Sequence, residues 1–158
     1  MYNSKGCGAE DDHSGSTKLH MDLTDAVNIM LWAGLCYDGS PGYALWHLYP
    51  PRMANILRQY FREEGLDEGA GDFIHSQRIY VTSAMHEDIY KKYGAKPYVI
   101  RQRPGEAVFI PAGWAHQVCD RHFFFKTKTK LLYCKPRLAI RRMQSRSLAI
   151  SCPCRIYM

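Results

Sequence analysis

Two side chains near the start of the chain could hold a metal ion. His20 and Asp22 lie two residues apart, so on an extended segment both side chains leave the same face of the strand. One imidazole and one carboxylate supply two corners of a 2-His-1-carboxylate triad, which holds non-heme Fe(II) and leaves coordination positions open. A second histidine, brought close by the fold, would have to supply the third corner.

His116 is the candidate for the third metal ligand. It ends the pattern Gly-Glu-x4-Pro-x-Gly-x-x-His over residues 105–116, in which an apolar strand leads into a Pro/Gly turn. A His-x-Asp pair is common by chance, but this longer pattern is more specific and resembles the second metal motif of cupin and jelly-roll barrels. Because both motifs are present, in order and 96 residues apart, a metal site is a better interpretation than two core histidines.

The composition indicates one domain with a sizeable core. The chain has 158 residues, of which 46% are hydrophobic. It contains no apolar run of membrane-spanning length, and residues 1–6 lack the apolar character of a secretory signal. The cysteines show no Cys-x2-Cys pair, so a structural zinc site is not indicated. We therefore expect a soluble intracellular protein with no membrane partner.

Positive charge is concentrated at the C-terminal end. The formal net charge of +6 divides into −3 for residues 1–119 and +9 for residues 120–158, where ten Lys/Arg accompany one Asp. A segment this basic can bind nucleic acid nonspecifically. We expect residues 1–13 to form a loop and residues 133–158, beyond about Leu132, to be a poorly ordered tail.

Short apolar segments between turn residues predict a mostly β fold with inserted helices. Strands are expected at residues 19–23, 26–35, 43–49, 79–81, 98–102 and 107–110. Residues 26–35 are apolar on both faces, as in a buried strand, and the last two segments are expected to pair around the turn at residues 103–105. Helices are expected at residues 53–61, ended by Gly65, and from a cap at Ser83 to Gly94. This order fits a jelly-roll core that carries inserted helices.

Six blocks in succession carry a resemblance to a known family. The first two read Gly15-Ser-Thr17-Lys-Leu-His20-Met-Asp22 and Asp25-Ala-Val-Asn28-Ile-Met, and the others span residues 44–49, 74–77, 93–94 and 106–118. Together they resemble the JmjC domain of histone lysine demethylases, specifically the branch acting on lysine 9 of histone H3. The resemblance implies a double-stranded β-helix, the cupin-like JmjC core, incomplete at both ends. The partial catalytic core is expected at residues 14–132.

The resemblance also implies an activity and a set of site residues. Members of the family are Fe(II)- and 2-oxoglutarate-dependent dioxygenases, which use O2 to hydroxylate a lysine N-methyl group that is then lost as formaldehyde. By position, His20, Asp22 and His116 match the catalytic iron ligands, and Thr17 matches the hydroxyl that binds the 2-oxoglutarate carboxylate. The implied partner is the methylated histone H3 tail, and the implied location is the nucleus.

Other parts of the cosubstrate site depart from the family. Many relatives have a 2-oxoglutarate-binding lysine 17 residues after the first ligand, where this chain has Tyr37. Lys126, ten residues after His116, is an alternative because some relatives place a lysine on the following strand. One more charge in a basic tail explains Lys126 equally well. Asn28 would contact the cosubstrate if the bend at Thr24 leaves it on the same side as His20.

Two other functions are consistent with these residues. One is a catalytically inactive chromatin-associated module that has kept the jelly roll but lost turnover. This sequence does not match the strands that precede the iron motif in the family, nor the segment that follows Cys119. Both differences favour the inactive module. The other is a cupin-type enzyme that binds another metal and a small substrate. The presence of all three ligands favours the active demethylase.

Overall fold

The computed structural model describes residues 17–36, 38–66, 71–121 and the backbone of 128–133. The strands are β1 (Thr17–Met21), β2 (Ala26–Trp32), β3 (Tyr43–Tyr49), β4 (Tyr98–Gln102), β5 (Ala107–Ile110), β6 (Ala115–Arg121) and β7 (Lys128–Tyr133). The helices are α1 (Pro51–Glu63), α2 (Phe73–Ser76) and α3 (Ser83–Tyr93). None of these helices is both long enough and apolar enough to cross a membrane.

The strands form two sheets in which all neighbours are antiparallel. The larger sheet has the order β1-β6-β3-β4 and the smaller one has the order β5-β2-β7. The chain therefore passes from one sheet to the other after β1, β2, β4, β5 and β6. This mostly antiparallel arrangement with a few helices confirms the predicted jelly-roll-like fold class, in partial form.

One apolar cluster joins the facing surfaces of the two sheets. The smaller sheet contributes Ala26, Met30, Val108 and Ile110, and the larger sheet contributes Ala44, Trp46, Leu48 and Val118. Burying such side chains stabilises the fold by about 1.5–3 kcal/mol for each large one. Alternate residues of a strand share a face, so the buried Asn28, between Ala26 and Met30, also points into this space between the sheets.

The opposite face of the larger sheet is covered by the helices. Leu19, Tyr49 and Ala115 of the sheet pack against a stripe on α1 formed by Met53, Ala54, Leu57, Tyr60 and Phe61. The stripe recurs at helical spacing, and Pro51 occupies the first turn of α1, where its missing N–H is not needed. The helices therefore close the outer side of the sheet and leave the inner side for the site.

Pairing between distant segments differs from the sequence prediction in two places. Residues 98–102 and 107–110 are strands with the predicted bounds, but β4 pairs with β3 and β5 pairs with β2. Residues 79–81 form no strand, because the backbone N–H and C=O of Val81 bond to the side-chain amide of Gln117 at 2.8 Å each. The Gln117 side chain thus takes the place of a neighbouring strand at Val81, while Ile79 accepts one backbone hydrogen bond from Leu19 at 2.8 Å.

Several predicted element bounds were also wrong. β1 ends at Met21, before the predicted residue 23, and β2 ends at Trp32, not at residue 35. Leu31 and Trp32 are 48% and 44% exposed, so this strand is not buried on both faces. Thr82, not Ser83, caps α3, and the helix α2 was not predicted. The loop expected at residues 1–13 and the tail expected beyond Leu132 fall outside the described residues, except for Tyr133, which ends β7.

Candidate metal centre

The structure brings His20, Asp22 and His116 together in one cluster. One ligand atom from each lies within 4.8 Å of the others. Nε2 of His20 is 3.9 Å from Oδ1 of Asp22, and Nε2 of His116 is 3.9 Å from Oδ2 of the same carboxylate. These distances are too long for hydrogen bonds. Two donors at right angles around one ion stand about 3 Å apart, so a small side-chain adjustment would let all three contact one metal.

Strand pairing places the two imidazoles side by side. His20 of β1 and His116 of β6 are direct cross-strand partners, and their ring centroids are 4.1 Å apart. Asp22 follows the last residue of β1, and Met21 faces Ala115 in the same ladder. Directly opposed residues share a face of the sheet, so both histidines point into the space between the sheets. The carboxylate is brought to them by the bend that follows β1.

Backbone carbonyls fix the orientation of both rings. Nδ1 of His20 lies 2.9 Å from the carbonyl oxygen of Lys18, and Nδ1 of His116 lies 3.0 Å from that of Trp114. A carbonyl oxygen can only accept, so Nδ1 carries the proton and donates in each case. Nε2 is therefore the nitrogen of each ring that faces Asp22 and could bind a metal. Histidines that bind metals are commonly oriented by a bond of this kind from the other ring nitrogen.

His116 is held in the form that can bind a metal. Burial lowers the pKa of His116 to about 4, with a further lowering from the neighbouring His20 imidazole. The bond to the Trp114 carbonyl and the Asp22 carboxylate act in the opposite direction but are outweighed. The ring is 4% exposed and is neutral at physiological pH. Metal binding there needs no prior loss of a proton.

Trp46 and Gln102 form a buried wall beside the histidines. The Trp46 ring is stacked on His116 with a centroid distance of 6.0 Å, and its Nε1 donates to Oε1 of Gln102 at 2.8 Å. Nε2 of Gln102 donates to the carbonyl oxygens of Asn28 at 2.9 Å and of Glu106 at 3.0 Å. Gln102 thus links the two sheets. The sequence did not single it out, because a buried glutamine and an exposed one look the same in a strand pattern.

The predicted cosubstrate residues Thr17 and Asn28 both face the space between the sheets. Thr17 is opposite Val118 and His20 is opposite His116, with a register shift between the two pairs. This bulge puts Thr17 and His20 on one face although they are three residues apart. The Asn28 side chain also points into this space, so it lies on the same side as His20, which is the condition for its predicted contact with the cosubstrate. Tyr37 and Lys126 lie outside the described residues, and all four cosubstrate roles stay predictions.

One buried polar atom on the inner face of β2 has no hydrogen-bond partner among the described residues. Oδ1 of Asn28 makes no hydrogen bond within the described part of the chain, and the side chain is 6% exposed. A buried polar group without a partner costs about 1–3 kcal/mol. Because a side-chain amide can be turned over, either its oxygen or its NH2 group could meet a bound polar molecule. The donor set and this amide, whose Oδ1 has no partner among the described residues, fit a metal with a polar cosubstrate.

Comparison with known proteins adds independent information. A family model described as JmjC domain, hydroxylase matches residues 13–131. Lysine-specific demethylase 3 of Drosophila melanogaster is 34% identical over 77% of this chain and 18% of its own length. Lysine-specific demethylase 3A of Homo sapiens is 31% identical over 75% of this chain and 12% of its own length. A mouse protein named probable JmjC domain-containing histone demethylation protein 2C is 26% identical over 77% of this chain.

These relatives are much longer than this chain, which spans 18% or less of the length of each. The shared region includes the residues that converge in the structure, since His20, Asp22 and His116 all lie within the matched residues 13–131. The match covers about three quarters of the chain, and the antiparallel two-sheet core agrees with it. This chain belongs to the JmjC domain family of hydroxylases.

Proposed function

We propose that this chain carries the catalytic core of an Fe(II)- and 2-oxoglutarate-dependent dioxygenase that demethylates histone lysine. The observation that carries the proposal is the convergence of His20, Asp22 and His116 in a member of the JmjC family. The names of the relatives, a lysine-specific demethylase and a histone demethylation protein, support lysine in histones as the substrate class. We further propose lysine 9 of the histone H3 tail as the substrate, the nucleus as the location and residues 14–132 as the partial core.

His20, Asp22 and His116 would hold the iron, since two neutral imidazoles and one carboxylate are the donor set that suits Fe(II) in oxygenases. When bound, Fe(II) supplies open positions for 2-oxoglutarate and O2 and the oxidising power that hydroxylates the N-methyl group. The reaction consumes 2-oxoglutarate and O2 and gives succinate, carbon dioxide, formaldehyde and the demethylated lysine.

The other residues would position the reactants and exclude water. The bonds from Nδ1 of His20 and His116 to backbone carbonyls keep both rings turned toward Asp22. The Trp46 ring, which is 3% exposed and stacked on His116, would shield that side of the centre from water. The Thr17 hydroxyl would donate to a cosubstrate carboxylate, and the Asn28 amide, whose Oδ1 has no partner among the described residues, would supply a second polar contact.

The far carboxylate of 2-oxoglutarate needs a cationic partner, because an unpaired buried carboxylate is costly. We propose Lys126 for this role. Tyr37 is the alternative, although its hydroxyl offers only a neutral hydrogen bond.

The test is formaldehyde release from histone H3 peptides incubated with the full chain, Fe(II) and 2-oxoglutarate. We expect product from peptides methylated at lysine 9 and little from peptides methylated at lysine 4. His20→Ala should give none, whereas His75→Ala, which changes a histidine with a 46% exposed side chain, should keep the activity. If the chain binds Fe(II) but releases no formaldehyde from either peptide, the inactive chromatin-associated module is the better description.

A second partner is proposed from charge. Residues 120–158 carry a net charge of +9, while the preceding residues carry −3. We propose that this segment adds nonspecific affinity for DNA or RNA, because Lys and Arg neutralise phosphates and release counterions.

A further inference from the structure

Two connections between the sheets lie side by side at the candidate metal centre. Residues 22–25 lead from β1 to β2, and residues 111–114 lead from β5 to β6. Because β1 pairs with β6 and β2 pairs with β5, both connections pass between the sheets at the same place. Asp22 lies on the first connection, and His116 is the second residue of β6, directly after the other.

Two hydrogen bonds join these connections to each other. Oδ1 of Asp25 accepts from the backbone N–H of Ala112 at 2.7 Å. The backbone N–H of Gly113 donates to the carbonyl oxygen of Asp22 at 3.0 Å. Gly113 has a φ of 76°, a left-handed conformation in which glycine carries little strain. The Asp25 bond is the one that depends on a side chain, and it directly follows the ladder pair of Ala26 and Ile110.

Asp22 is the ligand least supported by regular structure. His20 and His116 lie within paired strands, whereas β1 has ended at Met21. The position of the Asp22 carboxylate therefore depends on how the bend at residues 22–25 is anchored. Asp25 is not itself in the cluster of potential ligands, so it could act on a metal only through Asp22 and the Pro111–Gly113 turn.

We infer that Asp25 is a positioning residue for the metal centre and acts by tethering the two connections. This inference rests on the proposed metal role of the cluster. Its carboxylate holds the bend that carries Asp22 against the turn that leads to His116. It thereby sets the distances between the Asp22 oxygens and the two imidazole nitrogens. A group that hydrogen-bonds directly to a ligand typically contributes about 10- to 100-fold to metal affinity, and Asp25, which acts one step further out through the backbone, should contribute at the lower end of that range.

The test is Co(II) binding by the full chain, measured by calorimetry and by the visible spectrum of the bound ion. Asp25→Ala should weaken Co(II) affinity about tenfold or more and change the spectrum, because the Asp22 carboxylate moves. Asp25→Asn keeps a side-chain oxygen that can accept from Ala112, so its affinity should stay within about threefold of wild type. The control is Thr82→Ala, which removes a similar side-chain bond to a backbone N–H, at the start of α3.

The outcomes separate positioning from general stability. Thr82→Ala should lower the melting temperature but leave Co(II) affinity and spectrum unchanged. If Asp25→Ala binds Co(II) like wild type with the same spectrum, the inference is overturned. Should Asp25→Ala fail to fold, Asp25→Glu carries the test, since it keeps the charge but moves the carboxylate by one methylene. Absence of Co(II) binding by wild type would instead overturn the metal centre itself.

Discussion

At the scale of single residues, the candidate centre combines two imidazoles with a carboxylate that faces both of them. His116 is neutral because it is buried, and each ring is oriented by a carbonyl oxygen. The metal-free protein should therefore lose stability at low pH, because protonating a buried imidazole is unfavourable.

The first prediction concerns the pH dependence of that stability. The pKa of His116 is about 4 in the folded chain and 6.5 ordinarily, so the unfolded chain binds more protons between these values. The contribution of His116 to the free energy of unfolding should therefore be fully present above about pH 6.5. It should be lost as the pH falls toward 4, which lowers the stability by on the order of 3 kcal/mol. Urea unfolding of the metal-free protein across this range measures the change.

The matched variant for this prediction is His116→Gln, which removes the titrating group. Its stability should vary less with pH over the same range, while the exposed His75→Gln should behave like wild type. An unchanged pH dependence in His116→Gln would show that another group is responsible.

The second prediction concerns the cationic partner of 2-oxoglutarate. Lys126→Ala should weaken binding of 2-oxoglutarate to the metal-loaded protein by about tenfold or more, because a charge-assisted bond is lost. Isothermal titration measures the affinity, and Lys135→Ala serves as a control for loss of one charge from the basic segment. If Lys126→Ala has no effect while Tyr37→Phe weakens binding, the assignment belongs to Tyr37.

At the scale of elements, the sequence motifs predicted which residues converge but did not predict which strands pair. The bounds of β3, β4 and β5 were predicted because hydrophobic alternation and Pro/Gly turns are local signals. The partners of β4 and β5 were not, because pairing depends on distant segments. Likewise, the bulge that turns Thr17 toward His20 is a property of the β1–β6 ladder and leaves no mark in the sequence of β1.

Some residues of the candidate centre could be identified from the sequence and others could not. His20, Asp22 and His116 were identified because their spacing is specific and their side chains are those of metal ligands. Asp25 and Gln102 acquire their roles from neighbours that the fold supplies, namely Ala112 for one and Trp46 and Asn28 for the other. A carboxylate in a bend and a glutamine at a strand end have many ordinary explanations, so no sequence pattern could select them.

The third prediction tests the link between the sheets through Gln102. Gln102→Met keeps the size of the side chain but leaves the buried Trp46 Nε1 and two carbonyl oxygens without this partner. We expect a loss of about 2–4 kcal/mol in the free energy of unfolding, since buried polar groups without partners are costly. The control is Gln59→Met on the exposed side of α1. Equal stability of the two variants would contradict a linking role.

At the scale of the whole molecule, charge and chemistry are separated along the chain. The candidate centre lies within residues 17–121, and the surplus of positive charge lies in residues 120–158. The basic region also contains Lys126, which we propose as a cosubstrate contact, and β7, which pairs with β2. Variants that test nucleic-acid binding should therefore leave Lys126 and β7 unchanged.

The fourth prediction concerns the basic segment. In the full chain, replacing Arg141, Arg142 and Arg146 by Gln should weaken binding to duplex DNA. The slope of log affinity against log salt concentration should also become shallower by roughly two to three, because about 0.9 counterion is released per phosphate contact. The control replaces Arg52, Arg78 and Lys91, three exposed cations within residues 17–121, by Gln. Equal losses in the two triple variants would remove the special role of the segment.

The most direct test of the metal centre is anaerobic equilibrium dialysis of the full chain against Fe(II), with and without the three side chains that converge. One iron should bind per wild-type chain, and His20→Ala, Asp22→Ala and His116→Ala should each abolish binding, because two remaining ligands hold this labile metal poorly. His75→Ala should bind iron as wild type does. If any of the three variants retains one iron per chain with unchanged affinity, these residues do not form the iron site.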